Sequence, residues 1–203
     1  MTVGPPGSRA SRFKTDSPPL SRREIVDAAL AHARAGDLEQ LSLRRLAAEL
    51  DVSPMALYRH VRDKDDILEA VADALLSEAG LPDAALGPAD HLVALAVSLR
   101  RVLATQPALV DVFGRRPQVG PMAVARLAAA RDVLVAAGHR VEEAQRRYAA
   151  VHTYTVGYCA LDTARRRTGA AAPVVGGDEA VIAGFVTDDQ FLFGLHALVA
   201  GLG

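Results

Sequence analysis

Arg59 and His60 follow Tyr58 in a short polar stretch, with Arg44 upstream and Lys64 just downstream. These are residue types that read duplex DNA. A guanidinium is the bidentate partner of a guanine edge, an imidazole donates to a base or phosphate, and an ammonium neutralises a phosphate. Met55 and Ala56 add apolar surface suited to a thymine methyl, and the Tyr58 hydroxyl suits a phosphate. Serines, histidines and aspartates occur throughout, but without a nucleophile elbow or a paired-carboxylate arrangement, so an enzyme is not expected. The single cysteine, Cys159, leaves no disulfide framework and no multi-cysteine metal site, and reads as a small buried apolar residue. His139 and His152 read as solvent-facing or core histidines, so neither a metal nor a cofactor is expected.

A helix that enters a DNA groove about 12 Å wide must be short, exposed on one side and supported on the other. Ser42 suits the cap of a supporting helix whose buried stripe is Leu43, Leu46, Ala47 and Leu50, ending at Asp51 and Val52. Ser53 caps the next helix, and Pro54 takes its first position, where a missing N–H costs nothing. Val52, Leu57 and Val61 then pin this helix from behind as far as about Val61, leaving Pro54, Met55, Ala56, Tyr58, Arg59 and His60 facing outward. Upstream, the capping box of Ser21 and Glu24 starts a first helix with Val26, Ala29, Leu30 and Ala33 at helical spacing until Gly36. Downstream, Asp63 caps a fourth, with Ile67, Val71, Ala74 and Leu75 on one face as far as Gly80.

The rest of the 203-residue chain is read as helical too. Half its residues are hydrophobic and only 4% aromatic, so its core must be built from aliphatic side chains, which favours packed helices. Leu92, Leu95, Ala96, Leu99 and Leu103 mark a long amphipathic helix stopped by Pro107, with a short turn from there to Pro117. Further helices are expected from about Pro121 to Ala137, from about Val141 to Arg166 and from Asp188 to Leu202, with an Ala- and Gly-rich loop at Gly169 to Gly177. No alternating strand pattern appears, so the fold is expected to be all-α. No segment offers the ~18 consecutive apolar residues of a membrane span. A cytoplasmic protein without a membrane partner is the expectation.

The net charge of −1 does not announce a nucleic-acid partner, but its distribution says more, since the positive charge is concentrated at the N-terminal end. Residues 9–23 carry a local +4, five cations against Asp16, and residues 41–64 carry +2. Residues 1–20, with Pro5, Pro6, Pro18 and Pro19, read as a disordered basic arm.

The run LSLRRLAAELDVSPMALYRHV at residues 41–61 resembles the helix-turn-helix of the tetracycline-repressor (TetR) family, including its Leu-Tyr-x-His-Val ending. The resemblance implies a DNA contact set of Ser42, Leu43, Arg44, Pro54, Met55, Ala56, Tyr58, Arg59, His60 and Lys64, with Lys64 on a phosphate beside a helix N-terminus. One position departs: the turn residue that is usually glycine is Asp51, which tolerates a left-handed backbone better than most residues. A weaker likeness, at residues 114–117 and 150–157, extends to the effector domain of the tetracycline-repressor branch. It implies a ligand cavity among helices, near which Phe113, Met122, Leu127, Tyr154 and Tyr158 are placed. In tetracycline-binding members a histidine two positions before the glycine of the first stretch helps hold the drug's magnesium. That position is Val112 here, which speaks against a metal-chelated tetracycline.

The organisation expected is therefore an arm at residues 1–20, a three-helix DNA-binding domain at 21–66 and a helical effector-binding and dimerisation domain at 67–203. The partners expected are double-stranded DNA bearing a palindromic operator, a small organic effector and a second copy of the chain. The functional reading is a repressor released by its ligand. A helical ligand-binding protein, or a ligand-independent regulator or activator, is the alternative.

Overall fold

The computed structural model describes residues 20–115, 120–167 and 186–202. Every regular element among them is helical: α1 (Arg22–Ala35), a 3₁₀ turn (Leu38–Gln40), α2 (Leu43–Glu49), α3 (Pro54–Leu57), α4 (Lys64–Ala79), α5 (Pro88–Thr105), α6 (Pro107–Arg115), α7 (Pro121–Ala136), α8 (Val141–Arg167) and α9 (Asp188–Gly201). No single described helix is long and apolar enough to cross a membrane. The arm at residues 1–19 and the expected loop at 169–177 lie outside the described residues.

The punctuation read from the sequence sets the helix ends. Ser21 and Glu24 close a reciprocal capping box, while Ser42, Ser53, Asp63 and Thr187 each accept a backbone N–H three residues on. Gly36, at φ 77°, ends α1 in the left-handed conformation that a side chain disfavours.

Two details depart from expectation. The stretch after Pro107 is not a turn but α6, which buries Leu109, Val110, Val112 and Phe113. Pro107 is the first residue of that helix, so the proline that stops α5 also starts α6, at a bend of 118°. The buried stripes of α1 and α4 also sit slightly off the expected register. Ile25 rather than Val26 is buried on α1, and on α4 Asp66, Ile67, Leu68, Val71, Ala72 and Leu76 are buried while Ala74 and Leu75 are only partly so.

Two apolar clusters fill the interior. The first joins α1, α2, Leu57 and α4 to Leu99, Val102 and Leu103 of α5 and to the buried face of α6, so the N-terminal helices and the body share one continuous core. Gln106, at the bend between α5 and α6, donates from Nε2 to the Ala33 carbonyl at 2.8 Å and fixes the end of α1 to the body. The second cluster packs α5, α7, α8 and α9 around Phe191, Leu195 and Leu134.

Candidate nucleic-acid interface and ligand cleft

Helices α2 and α3 are joined by a tight turn whose pivot is Asp51, at φ 52° the only non-glycine residue among the described residues with positive φ. The Val52 amide returns to the Ala47 carbonyl at 2.9 Å, which closes α2 and aims α3 away from it. Leu57 and Val61 are buried behind α3 and Val52 is half-buried. The opposite side is open: Met55 is 70% exposed, Tyr58 51%, and Pro54 and Arg59 are exposed beside them. The regular α-helix ends at Leu57 rather than near Val61, and Tyr58 to His60 continue as hydrogen-bonded turns.

The predicted contact residues lie on α2, on α3 with the turns after it, and at the start of α4, and they differ in what holds their side chains. Among the described residues, no hydrogen bond or ion pair engages the guanidinium of Arg44 or of Arg59, so both are free to reach outward. Ser42 is occupied in capping α2, where it accepts from the Arg45 amide at 3.2 Å. Leu43, Ala56 and His60 are half-buried, and Lys64, at the start of α4, donates to the Glu39 carbonyl at 3.2 Å.

Two polar clusters, centred on the buried side chains of Asp66 and His32, hold this surface in place. Sequence reasoning missed both. Arg22 grips Asp66 with both terminal nitrogens at 2.8 and 3.0 Å and also donates to the His60 carbonyl at 3.0 Å. Asp66 further accepts the Arg62 amide at 2.9 Å, so one carboxylate ties α1, the end of the reading segment and α4 together. The bond from Arg22 is the chief reason the Asp66 carboxyl is held down at about 2. The second cluster surrounds His32, whose Nδ1 meets Asp37 and whose Nε2 meets Glu49, both at 2.7 Å. Arg45 closes the ring, donating to Glu49 and to Asp37 at 3.0 Å each. The bond to Glu49 is the main cause of a raised His32 pKa. Arg45 and Glu49 are an ordinary i,i+4 pair on α2, but nothing in the local pattern shows that His32 and Asp37 complete the ring or that Arg22 pairs with Asp66, because those partners come from other elements.

The expected ligand residues do not converge. Phe113 borders a narrow cleft between α4, α5, α6, α7 and α8, together with Asp73, Arg126, Tyr148 and His152. Met122 is half-buried at the start of α7, and its amide donates to Asp73 of α4 at 2.7 Å. Leu127 is partly buried on α7 and is not among the cleft's lining residues. Tyr154 and Tyr158 pack on Phe191 of α9, with ring centroids 5.6 and 5.3 Å away, and Arg100 lies over the Tyr158 ring. Val112 is fully buried. His152, read as a bland histidine, stacks against Phe113 inside the cleft, and His139 pairs with Glu143 at 3.7 Å.

This head, with its free arginines and a helical body behind it, is that of a helix-turn-helix transcriptional regulator. The sequence matches the bacterial regulatory proteins of the tetR family over residues 25–71 and the tetracyclin repressor-like C-terminal domain over residues 81–183, and the chain belongs to that family. It is 34% identical over 168 residues to an HTH-type transcriptional regulator of Saccharopolyspora erythraea, covering 80% of this chain and 71% of that one. It is also 38% identical over 121 residues to the HTH-type transcriptional repressor DrrR1 of Streptomyces coeruleorubidus, covering 58% of this chain and 44% of the relative. Among solved structures, the Streptomyces coelicolor TetR family protein ActR in complex with actinorhodin superposes with a TM-score of 0.71 at 25% identity, over 92% of this chain and 96% of that one. A TetR variant of Acinetobacter baumannii AYE in complex with minocycline gives a TM-score of 0.72 at 26% identity, over 90% of this chain and 92% of that one.

Proposed function

We propose that the chain is a homodimeric repressor that binds a palindromic operator through α2 and α3 and is released from it when a small organic molecule enters the cleft. The observation that carries the reading is the pair of unengaged guanidinium groups, Arg44 and Arg59, on a surface that also exposes Met55 and Tyr58. Cations without internal partners, flanked by apolar contacts, suit base edges and thymine methyls. The half-buried Lys64, already aligned beside the N-terminus of α4, suits a phosphate.

Release follows from the path of the shared core. The cleft is walled on one side by Asp73 and Leu76 of α4, and the same helix begins at Lys64 beside the reading surface. A ligand that parts α7 from α4 strains the Asp73–Met122 hydrogen bond and shifts α4, to which Asp66 and Arg22 lock the head. A coupling of about 1 to 3 kcal/mol between the two sites is the expected size of such an effect. ActR is solved with actinorhodin and the Acinetobacter baumannii TetR variant with minocycline, which supports a small-molecule effector here. The dimer rests on α8 and α9, which leave Leu161, Leu192 and Phe193 exposed.

A gel-shift titration against the DNA upstream of the protein's own gene tests the reading. Specific retardation, with a protected palindrome in footprinting, is expected. Equal affinity for that fragment and for random duplex would overturn it, whereas activation instead of repression in a reporter assay would leave DNA recognition standing and remove only the direction of control.

A further inference from the structure

Arg126 of α7 is 2% exposed, the most deeply buried cation among the described residues. Its Nη1 donates to Ser98 Oγ at 3.0 Å, its Nη2 donates to the Leu95 carbonyl, and the Tyr148 hydroxyl lies against it. All three partners are neutral. Among the described residues no carboxylate comes within ion-pair distance of the guanidinium, and Asp73, the acid that borders the same cleft, is turned onto the Met122 amide. A buried charge with no carboxylate beside it among the described residues is costly, and an anion entering the cleft would supply the missing partner.

The surroundings specify the shape of that anion. Phe113 and His152 stack with ring centroids 6.3 Å apart, and Tyr148 lies 5.9 Å from His152, so three flat rings line the approach to the guanidinium. Burial and the neighbouring Arg126 both lower the His152 pKa, so the imidazole is neutral near pH 7 and offers a hydrogen bond rather than a second charge. The cleft is narrow, about 20 Å³, so an occupant the size of a ring has to separate helices as it enters. Aromatic side chains along the approach favour an aromatic occupant, and the guanidinium suits a carboxylate bidentately or a phenolate through its single oxygen.

We propose that this cleft takes a planar aromatic anion whose carboxylate or phenolate pairs with Arg126. The inference deepens the ligand-responsive reading given above and rests on it for the cleft's role, but its chemistry is tested without DNA. Isothermal titration of the full-length chain compares 2-hydroxybenzoate and 1-hydroxy-2-naphthoate with the corresponding neutral carboxamides. The acids are expected to bind about tenfold or more tightly than the amides, a preference lost in Arg126→Gln and partly restored in Arg126→Lys. On binding, the His152 ring resonances are expected to shift.

Equal affinity for acid and amide, binding of neither, or an acid preference that survives in Arg126→Gln each overturn the proposal. If Arg126→Gln does not fold, the acid-against-amide comparison in the unaltered protein still decides. A gel shift on the same preparation separates the two readings. Operator binding without acid preference sinks the anion alone, and acid preference without operator binding sinks the regulator reading alone.

Discussion

At the scale of single residues, the proposed function divides the surface of α2 and α3 into groups that would discriminate between bases and groups that would only attract a duplex. Arg44 and Arg59 have no partner among the described residues, so removing either costs no described interaction within the fold and its effect is expected to fall on DNA. Arg44→Ala and Arg59→Ala are each expected to cost about 1 to 3 kcal/mol on the operator and little on random duplex, relaxing preference at one base pair. Lys64→Ala is expected to weaken both duplexes alike and to lower the salt dependence of binding by about one charge. Quantitative gel shifts on operator and scrambled DNA at several salt concentrations distinguish the two patterns, and equal losses on both duplexes for all three variants would remove base readout. Asp51 allows a second test. Its φ of 52° is left-handed, where a Cβ is strained and glycine is not. Asp51→Gly is expected to stabilise the protein by at most about 1 kcal/mol in urea denaturation, with DNA affinity retained.

At the scale of elements, helix ends and buried stripes were legible because they depend on neighbours three or four residues away. The capping box at Ser21, the serine caps of α2 and α3, and the stripe of Leu92, Leu95 and Leu99 are local patterns, and the helices start and pack where those patterns put them. Proline was the ambiguous sign, since Pro107 both stops one helix and opens the next, and α6 was read as a turn for that reason. What no local pattern shows is pairing between elements. Arg22 with Asp66, the closing of α1 onto α2 through His32 and Glu49, and the lack of an acid beside Arg126 among the described residues all depend on how separate elements pack. The ligand residues suffered most, because Tyr154 and Tyr158 carry the chemistry of a pocket but pack instead on Phe191.

Those same cross-element pairs give the head a pH dependence of opposite sign at its two ends. The Asp66 carboxyl, held at about 2 against an ordinary 3.8, contributes stability that is present above the ordinary value and is lost as pH falls through about 2, worth at most about 2 kcal/mol. His32, raised above its ordinary 6.5 by Glu49 and Asp37, contributes stability that is full below 6.5 and is lost as pH rises through its folded value. Thermal midpoints measured from mildly acidic to alkaline pH should therefore fall on the alkaline side, and His32→Gln should flatten that fall. An NMR titration should show the His32 ring still protonated above 6.5. A His32 that titrates at or below 6.5 would refute the clamp.

At the scale of the whole molecule, two exposed faces need an explanation that one chain does not supply. Phe193 is 70% exposed on α9, Leu192 lies beside it, and Leu161 is 58% exposed on the adjacent α8, while their neighbours Leu195, Phe191 and Val199 are buried in the core of the same chain. A cluster of large apolar side chains left in water on helices whose other faces are packed suits a contact with another chain. The two-fold pairing of α8 and α9 proposed above would cover it, and a palindromic operator requires that such a pairing hold two reading surfaces about 34 Å apart, one turn of duplex. Phe193→Glu puts a charge into that contact without touching the chain's own core. It is expected to yield a folded monomer by sedimentation, with an unchanged far-ultraviolet spectrum, and to weaken operator binding by about 100-fold or more, because a single head loses the effective concentration that its partner supplies. A variant that remains dimeric, or a monomer that holds the operator as tightly as the native protein, would place the interface elsewhere and break the link between two-fold pairing and operator recognition.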